Sequence, residues 1–266
     1  MTSHQGHRAR KRFGQNFLHD PGVIQRIIDA VNPKPGETLV EIGPGLGALT
    51  EHLYRAAGGL QVVELDRDLV ARLQQRYAGA SGFQVHSSDA LKFDFRTLAQ
   101  GDARLRVVGN LPYNISTPLL FHLMAQIDVI RDIHCMLQKE VVERICAGPG
   151  ENNYGRLSVM IQYYCQTQYL FDVAAGAFQP RPKVDSAILR LTPHDQPVVQ
   201  VDDEQRFARL VAQAFSQRRK TLRNSLKKYL SGEQMEAAGV DPGARPETLD
   251  LPAFARLSNV VVTEAE

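Results

Sequence analysis

The chain has 266 residues, 43 % of them hydrophobic, and 31 Lys and Arg against 29 Asp and Glu leave a formal net charge of +2. That is apolar material for one core of ordinary size and a small second domain, with no run of transmembrane length and no signal-peptide core near the N-terminus, so membrane-spanning and secretory readings are excluded. Cys135, Cys146 and Cys165 form no C-x-x-C pair and the histidines are scattered, which argues against a disulfide framework or a metal site and for a reduced, cytoplasmic protein.

The small total charge hides an uneven distribution. Residues 1–19 carry Arg8, Arg10, Lys11 and Arg12, and no acid precedes Asp20. Such a segment reads as a phosphate-contacting surface, with a solvated face or a transit peptide as the alternatives. Val23, Ile24, Ile27, Ile28 and Val31 recur at helical spacing after Asp20, a capping residue. They predict a helix over 21–31 that Asn32-Pro33-Lys34-Pro35-Gly36 stops. A short apolar segment at 38–40 leads into Gly43-Pro44-Gly45-Leu46-Gly47, and 48–53 reads as a helix. A glycine-rich turn between strand and helix lets a ligand approach the backbone at Gly43 and Gly45. The spacing is G-x-G-x-G, not the G-x-G-x-x-G of dinucleotide folds. The next strand, Leu60-Gln61-Val62-Val63-Glu64, ends in a carboxylate suited to both hydroxyls of a ribose. Asp66 and Asp68 lie past that strand and read as solvated or helix N-terminal acids. A third strand over 83–90 brings up Asp89, an acceptor suited to the amine of a bound adenine.

The apolar run 105–109 is followed by Asn110-Leu111-Pro112-Tyr113. The exocyclic amine of adenine is a poor nucleophile because its lone pair is delocalised into the ring. Two acceptors aimed at its N–H groups, the Asn110 side-chain carbonyl and the Leu111 backbone carbonyl beside the rigid Pro112, would draw that nitrogen toward tetrahedral geometry and free the lone pair. Tyr113 offers a π-face on which an extruded base stacks. Taken alone, the four residues are equally compatible with an ordinary turn. Their position after a glycine loop and two strand-end acids is what gives them meaning.

Further strands are predicted at 133–137 and 187–191, and 192–198, with Pro193 and Pro197, reads as a boundary between domains 1–193 and 194–266. Beyond it the pattern is helical: Phe207, Val211, Phe215, Leu222, Leu226 and Leu230 make an apolar stripe, with Lys220, Arg223 and Lys227 off it. The stretch 205–230 also carries Arg206, Arg209, Arg218, Arg219 and Lys228 and no acid. It reads as a nucleic-acid surface rather than a merely solvated face. The predicted fold is therefore α/β: a Rossmann-like parallel sheet with helices on both faces, followed by a small all-helical domain.

With these parts in order, the chain resembles the ribosomal RNA adenine dimethyltransferases over nearly its whole length. The likeness is carried by Arg10-Lys11-Arg12-Phe13-Gly14-Gln15-Asn16-Phe17-Leu18, the glycine loop, Asn110–Tyr113, Gln138-Lys139-Glu140-Val141-Val142-Glu143-Arg144 and Asn153-Tyr154-Gly155-Arg156-Leu157-Ser158. It continues through Phe178-Gln179-Pro180-Arg181-Pro182-Lys183-Val184-Asp185-Ser186 and Phe215-Ser216-Gln217-Arg218-Arg219-Lys220-Thr221-Leu222-Arg223-Asn224. The Arg218–Asn224 run favours the small-subunit (16S) branch over large-subunit relatives that share the catalytic half. The resemblance implies a methyltransferase that uses S-adenosylmethionine, releases S-adenosylhomocysteine, needs no metal, and places two methyls on adenine N6 in an assembling small ribosomal subunit. It implies cofactor contacts at Asn16 and Leu18 beside Gly43, Gly45, Glu64, Asp89 and Asn110. It also adds Phe178 as a second wall of the base pocket, and RNA contacts at Arg10, Lys11, Arg12, Arg218, Arg219, Lys220 and Arg223. A monomer is expected. A dehydrogenase shares the glycine loop and the ribose acid but leaves Asn110–Tyr113 and the basic tail unexplained. An assembly factor on a methyltransferase scaffold would bind cofactor without transferring methyl groups, and a large-subunit or DNA adenine methyltransferase would differ only in target.

Overall fold

Seven strands alternate with helices and assemble into one sheet whose order follows from where the chain reverses. A computed structural model describes residues 14–99, 101, 103–217 and 219–260, together with Arg10 and the backbone of 3–4 and 7–8. The strands are β1 (Leu39–Ile42), β2 (Leu60–Glu64), β3 (Phe83–Ser87), β4 (Leu105–Asn110), β5 (Ile130–Gln138), β6 (Cys165–Val173) and β7 (Ser186–Pro193), in the order β3-β2-β1-β4-β5-β7-β6. β1 runs parallel to β2 and β4, β2 to β3, and β4 to β5, whereas β7 pairs antiparallel with β5. Strand order reverses between β1 and β4, and in open α/β sheets ligands bind at the carboxyl ends of strands flanking such a point. All four residues of β1 are buried, as a parallel strand covered on both faces requires.

The opening helix α1 (Pro21–Val31) starts where Asp20 accepts from the backbone N–H of Gly22 and Val23, and ends at Asn32 in the left-handed region. It buries Ile27 and Val31 with Leu53 of α2 (Thr50–Ala57) and Leu73 of α3 (Arg67–Arg76) in a core that also holds Leu39, Val62 and Val108. One glycine inside the sheet is a packing requirement. A Cβ on Gly109 would stand 2.6 Å from the Ile42 carbonyl oxygen, so β4 passes this close to β1 only because residue 109 has no side chain. Near the other end of these strands Arg106 donates to Asp132, to Glu37 at 2.6 Å and to the Val31 carbonyl at 2.6 Å, which ties α1 to β4 and β5. After β4 comes α4 (Ser116–Met124).

The chain divides into two compact units, residues 1–142 with 168–193, and residues 143–167 with 194–266. One crossing coincides with the expected boundary at 193/194. Residues 143–167, expected in the first domain, belong to the second. The reason is burial. Helix α5 (Lys139–Cys146) leads toward α6 (Arg156–Tyr164), and α6 buries Leu157, Val159, Met160 and Ile161 while packing with α7 (Glu204–Ala214) and α10 (Leu251–Val260). The second unit is completed by α8 (Leu222–Ser225) and α9 (Gly232–Ala237). Phe207, Val211, Leu222, Leu226 and Leu230 are buried as their spacing predicts, but the stripe is not continuous helix: Phe207 and Val211 lie on α7, Leu222 on α8, and Leu226 and Leu230 in the segment after α8. Among the described residues no helix is long and apolar enough to cross a membrane.

Candidate active site

In the first unit the carboxyl ends of β1, β2 and β4, the loop after β3, and the segment 14–18 enclose a cavity of about 320 Å³. That volume is in the range of small-ligand sites. Asn16, Leu18, Gly43, Gly45, Glu64, Asp89 and Asn110 all line it, and so do Leu111, Pro112 and Tyr113. Residues scattered over almost a hundred positions thus converge because the parallel strands all end on one side.

Gly43 and Gly45 have φ values of +65° and +59°, in the region that favours glycine. A Cβ at Gly45 would lie 3.2 Å from the Phe17 ring, so this turn carries the segment 14–18 against it only as glycine. Glu64 is 7 % exposed, and its two oxygens accept from the backbone N–H of Asp66 at 2.8 Å and of Gly45 at 3.3 Å. Burial raises its pKa above the usual carboxylate range against those bonds. Each oxygen keeps a second lone pair for an incoming hydroxyl. Asp89 accepts from the Leu91 backbone N–H at 3.0 Å. Glu41, deeper in the same wall, is 2 % exposed, and burial pushes its pKa up to about 8, with the Glu64 charge adding to the shift and a 2.6 Å hydrogen bond from the Thr50 hydroxyl opposing it.

The loop after β4 is held at several points. Asn110 Nδ2 donates to the Asn16 carbonyl at 3.0 Å, which fixes the amide plane and leaves Oδ1 as the remaining acceptor of that side chain. The Leu111 N–H donates to the Met136 carbonyl at 3.2 Å, and Ser116 Oγ donates to the Tyr113 carbonyl at 3.1 Å. The Tyr113 hydroxyl lies 2.6 Å from Ser186 Oγ, and burial raises its pKa, so the phenol is neutral.

Two expectations change. Phe178 is 1 % exposed, sits in the main core with Leu18 and does not line the cavity. It belongs to a two-residue strand paired with Phe17–Leu18, so its ring packs beneath the segment it supports and offers no open stacking face. Arg10, expected to meet RNA, instead donates to Asp66 at 2.7 Å and to Asp68, while Gln15 donates to Asp66 at 3.1 Å. Asp66 caps α3 as its position suggests, but it is 1 % exposed and anchors the arm rather than being solvated. Lys11, Arg12 and Arg218 lie outside the described residues. Arg219, Lys220 and Arg223 are exposed in the second unit, as are Lys227 and Lys228. The sequence reading missed Glu41 and the Asn16 carbonyl as parts of the site, and gave Ser186 only as the end of the Phe178–Ser186 stretch, without its bond to Tyr113. Gly109 had a readable signal, since a glycine inside an apolar strand marks close backbone approach. Among the described residues no group of three or more His, Cys, Asp or Glu side chains is placed to hold a metal ion.

Residues 6–262 match the family model described as ribosomal RNA adenine dimethylase. A Pseudomonas fluorescens protein named ribosomal RNA small subunit methyltransferase A is 59 % identical over 97 % of this chain and 96 % of its own length. Two solved structures are similar at 26 % identity. One is a dimethyladenosine transferase from Plasmodium falciparum, with a TM-score of 0.76 over 91 % of this chain and 95 % of that one. The other is the 23S rRNA methyltransferase ErmE, with a TM-score of 0.72 over 92 % of this chain and 99 % of that one.

Proposed function

Since the chain belongs to the ribosomal RNA adenine dimethylase family, we propose that it transfers methyl groups from S-adenosylmethionine to adenine N6 in small-subunit (16S) ribosomal RNA, giving N6,N6-dimethyladenosine. The observation that carries this reading is Asn110, whose amide is turned by the Asn16 carbonyl so that Oδ1 remains as an acceptor in the same cavity as the glycine loop and Glu64.

The residues present fit the cofactor. Gly43 and Gly45 leave the turn open where a side chain would stand, Glu64 offers paired acceptors for a diol, and Asp89 offers one for an exocyclic amine. When bound, S-adenosylmethionine supplies a methyl group already activated by its sulfonium. The chain's own part is to extract and hold the acceptor. Tyr113 gives the extruded adenine a ring to stack on, worth roughly 1–3 kcal/mol, which offsets much of the few kcal/mol that extrusion costs. In the first transfer Asn110 Oδ1 and the Leu111 carbonyl accept from the two N–H groups of the amine and localise its lone pair. As the N–C bond forms and the methyl leaves sulfur, the surplus proton on nitrogen passes to water, and one N–H remains to be held in the second transfer. Asn110 is uncharged at every accessible pH, so the transfer step itself needs no ionised side chain. The exposed Arg219, Lys220, Arg223, Lys227 and Lys228 support phosphate contacts by the second unit. The protein acts in this reading as a cytoplasmic monomer on the assembling small subunit.

The test is tritiated-methyl transfer to undermethylated small subunits and to large subunits, followed by digestion to nucleosides. Dimethyladenosine in small-subunit RNA alone is the expected result. Labelling of large-subunit RNA alone refutes the target, and cofactor binding without transfer to either refutes the enzyme.

A further inference from the structure

Ser186 is the first residue of β7, is 0 % exposed, and is distant in sequence from every element of the cavity wall it touches. Its hydroxyl oxygen lies 2.6 Å from the Tyr113 hydroxyl. β5 lies between the strands involved: Asn110 of β4 faces Met136, and Ser186 of β7 faces Gln138, two residues further along the same strand. The loop after β4 is therefore moored on one side by the Asn110 amide at the Asn16 carbonyl and on the other by the phenol at β7.

We propose that Ser186 is a positioning residue that fixes the plane of the Tyr113 ring, and through it the place of the target base relative to Asn110. The inference rests on the methyltransferase reading above, because only that reading gives the ring a base to hold. The phenol oxygen is engaged by Ser186, so the tyrosine hydroxyl serves to moor the ring while the π-face serves the base. A phenylalanine at 113 would keep the face and lose the mooring. A base held an ångström out of place loses much of the benefit of orientation.

The experiment is a double-mutant cycle with Ser186→Ala and Tyr113→Phe in the full chain. Both changes remove only a hydroxyl, and far-UV circular dichroism checks that each variant folds. Each single variant is expected to lower kcat about tenfold with the KM for S-adenosylmethionine unchanged, and the double variant to be no worse than either single one. Losses that multiply in the double variant, or kcat within twofold of the parent in both singles, overturn the proposal. A readout independent of turnover is hydrogen–deuterium exchange at the Leu111 and Ile115 amides, which donate to the Met136 and Pro112 carbonyls. Faster exchange there in both singles is expected, and unchanged exchange counts against the mooring. If the parent protein transfers no methyl group, the functional reading fails, while the exchange data still decide whether Ser186 holds the loop.

Discussion

Glu41 offers the sharpest test of the electrostatics of the sheet. Its side chain is buried with one hydrogen bond, from Thr50, and a second carboxyl, Glu64, nearby. The folded chain therefore keeps the Glu41 proton up to about pH 8, against 4.5 for the free side chain. Between those values the folded state binds more protons than the unfolded one, so stability falls as pH rises through the window. Each pH unit is worth about 1.4 kcal/mol, which sets a ceiling of about 5 kcal/mol across it. Glu41→Gln mimics the protonated acid: it keeps the carbonyl that accepts from Thr50 and cannot ionise. We expect the variant to match the parent near pH 4.5 and to become progressively more stable relative to it, by about 2–5 kcal/mol above pH 8. The chain has no tryptophan, so urea unfolding at pH 5, 7 and 8.5 is followed by far-UV circular dichroism. A stability difference that is the same at all three pH values refutes the reasoning.

Other expectations follow from single contacts. Gly109→Ala must move the Ile42 carbonyl, 2.6 Å from the added carbon; we expect about 1–3 kcal/mol of lost stability and weakened cofactor binding, measured by urea unfolding and calorimetry. Asn110→Ala removes the acceptor and also the bond to the Asn16 carbonyl, and should lower kcat by about 10²–10³ and weaken cofactor binding as well, read by steady-state kinetics and calorimetry. For the parent, single-turnover transfer at saturating cofactor should be flat from pH 6 to 8, and a sharp change would implicate an ionising group in the chemistry. Replacing Arg219, Lys220 and Arg223 together with Ala should weaken binding to small subunits and reduce the salt slope by about 2–3, with cofactor affinity unchanged. An unaltered slope would remove the tail from the RNA interface.

The parts of the site that were legible in the sequence are those set by strand endings. Gly43, Glu64, Asp89 and Asn110 each stand at or just past the end of an apolar run, and parallel strands bring such ends together whatever the helices between them do. The Asp20 cap was legible for the same local reason. What escaped were contacts made by groups without a local signature. A backbone carbonyl at Asn16 looks like any other, and Ser186 meets Tyr113 across 73 positions. Arg10 was misread because a basic run gives no hint that one member has a buried acid as partner. Phe178 was misread because an aromatic side chain two residues before a proline looks the same whether it stacks or packs. Helix α6 was seen only as part of a resemblance block, Asn153–Ser158, which says nothing of the unit that buries it. Only α7 and α10 decide that.

The excursion of residues 143–167 into the second unit has a consequence for how the chain is made. α6 emerges from the ribosome about 40 residues before α7, between Tyr164 and Glu204, and α10 follows later still. At about 5–20 residues per second this leaves Leu157, Val159, Met160 and Ile161 without their final partners for roughly 2–8 seconds. Meanwhile the strands that frame the cavity have already been synthesised. The catalytic half is complete in sequence once Pro193 has been added, while an apolar helix made earlier still lacks its partners, and a stop anywhere before Glu204 would strand that helix permanently. Nascent chains halted there should be captured by a hydrophobic-surface chaperone, and chains extended past Val260 should be released.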